Sequence, residues 1–119
     1  MKTLIQVVLA RRLAQAKYFK NYPAWSRKIK NEAKDLLGPN RVFIFGSVLQ
    51  SERTGWPAED IDILIVSSRL DSVDHKREIR TKIWQKVGIN SPFELHLTTP
   101  DQYENWYRSI IGPDAKEVY

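Results

Sequence analysis

The chain has 119 residues, 42% of them hydrophobic and 11% aromatic, which is enough for one folded domain and too few for two. It has no cysteine, which excludes a disulfide framework, a thiolate metal site and a cysteine nucleophile. Lys2, Arg11, Arg12, Lys17 and Lys20 interrupt the first 20 residues, so neither a signal peptide nor a membrane span is expected and the domain reads as cytoplasmic.

The net charge of +5 is unevenly placed. Residues 1–41 carry ten Lys and Arg against Glu32 and Asp35, a net of +8, and the remainder sums to −3. Such a split suits a polyanion (RNA or a nucleoside triphosphate), an acidic partner, or simply a solvated helix surface.

Residues 3–19 read as an amphipathic helix, with Ile5, Val8, Leu9, Leu13 and Ala16 on one stripe. Asn21-Tyr22-Pro23 breaks it, and Pro23 suits the start of a second helix over about 23–37, which carries Trp25, Ile29, Ala33 and Leu36/Leu37. After the stop Gly38-Pro39-Asn40, residues 41–45 form a short apolar strand. Gly46-Ser47 ends that strand and opens a short helical or loop segment through Glu52, followed by a polar loop to Glu59. Residues 60–66 are the second strand, 72–87 a third helix with Ile79, Ile83 and Val87 inward, 93–98 the third strand, and 100–109 a last helix with Tyr103, Trp106 and Tyr107. The expected architecture is a single α+β domain over 1–119, layered in the α/β manner. A small mixed three-stranded sheet is covered by helices, with two N-terminal helices over 1–38 and the core over 40–100.

The chemistry converges on the strand ends. In Asp60-Ile61-Asp62 the strand period of two turns both carboxylates to one face, about 6–7 Å apart. By the same alternation Glu94 shares its face with His96, while Phe93, Leu95 and Leu97 serve the core. If the two strands are neighbours, Asp60, Asp62 and Glu94 form an acidic cluster that only a cation or protons can compensate. Hard oxygen ligands point to Mg²⁺ or Mn²⁺ and not Zn²⁺. Two such ions, roughly 3.5–4 Å apart, would hold a triphosphate and activate a hydroxyl. Gly46 lets a phosphate approach the backbone, and Ser47 with the following N–H groups can donate to it. A phosphate cradle beside a metal site indicates phosphoryl or nucleotidyl transfer.

At these residues the sequence resembles the DNA polymerase β-type nucleotidyltransferase superfamily in its smallest form, the minimal nucleotidyltransferases. The pattern is an apolar strand closed by Gly-Ser, a spacer, Asp-x-Asp in an apolar strand, and a later acid in a third strand. Here it reads Val42-Phe-Ile-Phe-Gly46-Ser47, then Asp60-Ile-Asp62-Ile-Leu-Ile, then Phe93-Glu94-Leu-His-Leu, over roughly residues 28–100. With Asn105-Trp106-Tyr107 it is most similar to small archaeal-type members. The spacer, 48 to 59, is longer than the usual ten or so, Ser51 replaces a common glycine, and two helices precede the motif where one is usual.

The resemblance implies roles. Asp60 and Asp62 would ligate both Mg²⁺ ions (or Mn²⁺), and Glu94 would complete the acceptor-side metal. Ser47 and the Gly46 backbone would hold the β- and γ-phosphates of ATP. Attack on the α-phosphorus would release pyrophosphate and leave AMP on an acceptor hydroxyl. His96 reads as a satisfied polar neighbour and not a base. Many minimal members act as antitoxins beside a helical HEPN-type partner, in some cases by adenylylating it. That implies such a partner as acceptor, with a homodimer or direct RNA binding as weaker expectations. The alternative is a non-catalytic, antitoxin-like binding module of the same fold.

Overall fold

The structure, a computed structural model, describes all of residues 1–119. Helix α1, Leu4–Lys20, opens with a capping box in which Gln6 N–H donates to Thr3 Oγ1 and Thr3 N–H donates to Gln6 Oε1. Asn21 ends it, and Pro23 fits the first turn of α2, Tyr22–Leu37, where a missing N–H costs nothing. Tyr22, Ser26, Ile29, Ala33 and Leu37 line the buried stripe of α2. Strand β1 (Arg41–Phe45) leads into α3 (Ser47–Thr54), which stops at Gly55 in the left-handed conformation. Then follow β2 (Ile61–Val66), α4 (Val73–Val87), and β3 (Phe93–Thr98). A bent helical stretch comes next, made of α5 (Pro100–Gln102), a π-helical turn (Tyr103–Tyr107) and α6 (Arg108–Ile111), before β4 (Lys116–Val118).

The sheet order is β3-β2-β1-β4. β1 is antiparallel to β2 and β4, while β2 and β3 are parallel and joined through α4. The α+β class is as the sequence indicates, but the sheet has four strands and not three. β4 lies where Val42 pairs with Val118, and Arg41 clamps Glu117 with two hydrogen bonds of 2.9 and 2.7 Å. That clamp favours the carboxylate and holds Glu117 below the ordinary range of its type. α3 is a full helix where the sequence left helix or loop open, and Asp60 stands just before β2 instead of inside it.

One sheet face is closed. Val42, Ile44, Ile63, Ile65, Leu95 and Leu97 pack with Ile29, Ala33 and Leu37 of α2 and Ile79 and Ile83 of α4 in a cluster of 21 buried residues. Each fully buried aliphatic side chain there contributes about 1.5–3 kcal/mol of transfer free energy. The opposite face is covered over part of its length: Phe43, Leu64 and Val66 meet Tyr103 and Ile111, with Phe43 stacked on Tyr103 at 5.1 Å. α1 differs from its stripe. Ile5, Val8, Leu9 and Leu13 are exposed, and only Gln15 and Tyr18 are buried, because just the last turns reach the body of the domain. There Tyr18 O–H donates to the Val87 carbonyl at 3.0 Å and Gln15 donates to the Asn90 carbonyl at 3.0 Å.

Candidate active site

The site forms where β1 ends and β2 and β3 begin. Register sets it: Phe45 pairs with Asp62 across the antiparallel ladder, and Asp62 pairs with Glu94 across the parallel one. The period of two then puts Phe45, Asp62, Glu94 and His96 on the half-covered face, while Ile61, Ile63, Phe93 and Leu95 enter the closed core. His96 Nε2 lies 3.2 Å from Asp62 Oδ1 and 3.9 Å from Glu94 Oε1. One ligand atom from each of Asp62, Glu94 and His96 falls within 4.8 Å of the others. Burial is graded: the Asp62 side chain is 19% exposed, His96 29% and Glu94 56%. The Phe45 ring, 5.2 Å from the imidazole between centroids, walls the cluster on the β1 side.

Gly46 completes this end of the sheet. Its φ of 84° is left-handed, and a Cβ there would stand 2.3 Å from Asp62 Oδ2. The residue is therefore glycine for two reasons, backbone conformation and the carboxylate against it. Ser47 follows as the first residue of α3, exposed, and no side-chain hydrogen bond caps that helix; Leu49 N–H donates to the Gly46 carbonyl at 3.2 Å. Beside this turn lies a cavity of about 260 Å³ lined by Phe45, Gly46, Leu49, Gln50 and Arg53, among others. Arg53 pairs there with Asp114 at 3.0 Å, both largely exposed.

Of the residues named from sequence, Gly46, Ser47, Asp62 and Glu94 converge. Asp60 lies outside the ligand group: it is exposed and borders another cavity, of about 310 Å³, with Arg11, Arg12 and Gln15 of α1 and Ser91 of the loop before β3. Strand alternation was extended one residue too far, since the chain bends at Glu59 and β2 starts at Ile61. His96 joins the carboxylates instead. The oxygen-only donor set expected from sequence is thus two carboxylates and an imidazole, a set that can hold a divalent cation. The hint in the sequence was the shared face of His96 and Glu94. Its distance to Asp62 depends on the parallel register, in which Leu64 pairs with His96.

Residues 26–116 match the family described as nucleotidyltransferase domain. The chain belongs to this family. Among solved structures, a crystal structure of a presumed nucleotidyltransferase is 27% identical with a TM-score of 0.61, covering 77% of this chain and 95% of that one. A second presumed nucleotidyltransferase, from Sulfolobus solfataricus, shares the fold at 16% identity, TM-score 0.52, over 90% of this chain and 84% of that one. No curated protein matches the sequence. The family is one of nucleotide transfer and generally uses divalent metals and nucleoside triphosphates. None of its helices is long and apolar enough to cross a membrane.

Proposed function

We propose that this domain is a divalent-metal-dependent nucleotidyltransferase that moves AMP from ATP onto an acceptor hydroxyl. The observation that carries the reading is the contact between Gly46 and Asp62, which sets a backbone turn suited to phosphate directly against a carboxylate in register with Glu94. In this reading Ser47 Oγ and the N–H groups at the start of α3 bind the β- and γ-phosphates. Asp62 and Glu94, joined by Asp60 once its carboxylate swings inward, hold the divalent ions. Bound Mg²⁺ or Mn²⁺ supplies charge neutralisation for the triphosphate and lowers the pKa of the acceptor hydroxyl. Glu94, the most exposed of the three clustered groups, faces the acceptor and takes its proton as the new P–O bond forms and pyrophosphate leaves.

The acceptor we propose is a hydroxyl of a helical HEPN-type partner protein, in the cytoplasm. One observation favours the second reading, a binding module: α1 exposes Leu4, Ile5, Val7, Val8, Leu9 and Leu13, an apolar surface that its own domain leaves uncovered. The two separate in one experiment, in which the protein is incubated with α-labelled ATP and Mg²⁺ or Mn²⁺, with and without the helical protein. The expected result is label transfer that falls about 10³-fold or more in Asp62→Asn, about 4 kcal/mol of lost transition-state stabilisation. Thermal stability should stay level or rise, since carboxylate repulsion is relieved. Binding of the partner without label transfer, unchanged in Asp62→Asn, establishes the module instead. Asp60→Ala tests the inward swing: full activity in that variant removes Asp60 from the site.

A further inference from the structure

Resting on this reading of the site, we infer that His96 is a direct metal ligand through Nε2. The centre therefore takes a first-row divalent transition ion such as Mn²⁺ in preference to Mg²⁺. Three observations converge on it. Nε2, not Nδ1, is the ring nitrogen turned to the carboxylates, at 3.2 Å from Asp62 Oδ1 and 3.9 Å from Glu94 Oε1. Two donors at right angles around an ion with bonds of about 2.1 Å stand roughly 3 Å apart, so the shorter separation, a hydrogen bond in the ion-free site, also has the spacing of neighbouring ligands of one ion. The imidazole nitrogen is the third donor atom of the group as it stands, beside the Asp62 and Glu94 oxygens, whereas Asp60 reaches it only after its carboxylate swings inward. The Phe45 ring stands beside the imidazole, 5.2 Å away between centroids, on the β1 side of the cluster.

The donor chemistry then sets the preference. Mg²⁺ demands oxygen ligands and gives up its water reluctantly, whereas an imidazole beside carboxylates suits the transition ions. The rival role for His96 is a simple hydrogen bond from Nε2–H that orients Asp62 without touching the ion.

The full-length protein, loaded with Mn²⁺ alone, distinguishes the two by pulsed electron paramagnetic resonance. Ligation predicts a nitrogen hyperfine coupling in the wild type that disappears in His96→Ala. It also predicts Mn²⁺ binding about tenfold or more tighter than Mg²⁺ by calorimetry, with about tenfold or more of the Mn²⁺ affinity lost in His96→Ala and little change for Mg²⁺. The wild-type spectrum needs no variant, so a poorly folded His96→Ala leaves the test intact. Saturable Mn²⁺ binding without nitrogen coupling overturns ligation by His96; if Mg²⁺-supported label transfer persists, nucleotidyl transfer still stands. Absence of binding by both Mn²⁺ and Mg²⁺, alone and with ATP, overturns both.

Discussion

The two faces of the sheet are built from alternate residues of the same strands, yet they do opposite work. Ile61, Ile63 and Ile65 of β2 are fully buried against α2 and α4, whereas Asp62 between them keeps part of its carboxylate in contact with solvent. One residue of register separates a position that holds the fold together from one that carries a carboxylate to the site, where His96 stands 3.2 Å from it. A strand closed on one side can therefore carry a cluster such as Asp62, Glu94 and His96 on the other, because rigidity and chemistry are supplied by different side chains.

This contrast can be broken from the closed side first. Ile63→Ala should cost about 3 kcal/mol of stability by leaving a cavity in the sealed cluster, seen as a lower denaturation midpoint with unchanged slope, while the surviving folded fraction still binds divalent ions. On the half-covered face, Gly46→Ala should cost about 2 kcal/mol, since a side chain is forced into a left-handed conformation and onto Asp62. It should also weaken divalent-ion binding, because the displaced group is a proposed ligand; calorimetry checks both.

At the edge of the sheet the effect is smaller and depends on pH. Glu117 is held below its ordinary range by the Arg41 hydrogen bonds, so the clamp stabilises the fold above the unfolded carboxylate range and loses that contribution as acid protonates the native group. Glu117→Gln should cost roughly 1 kcal/mol or less at neutral pH, and the gap in melting temperature from wild type should close on acidification. The smallest change belongs to α1, where Leu13→Gln should shift stability by no more than about 0.5 kcal/mol, because the side chain is 77% exposed.

Much of this arrangement was legible from alternation and punctuation. Gly46-Ser47 marks the end of one strand, and the acid-x-acid spacing marks the start of another. Phe93-Glu94-Leu95-His96-Leu97 assigns its faces without ambiguity. The failures lie where local pattern is silent. Lys116-Glu117-Val118 has no strand signature of its own; pairing with β1 and the Arg41 clamp make it one. Asp60 obeys the alternation only on paper, because the strand has not yet begun there. The apolar stripe of α1 was visible, but whether a body of protein lies beneath it is a matter of reach, and the helix extends past the sheet.

The parallel pairing of β2 with β3 has a consequence in time. Asp62 and His96 are 34 residues apart, and they meet only after the chain has crossed over through α4 and laid its third strand alongside the second. Such distant closure is slow compared with a hairpin or a helix. A polypeptide still emerging from the ribosome would thus carry Asp62 without Glu94 and His96, and the proposed ion site could form only once β3 is in place.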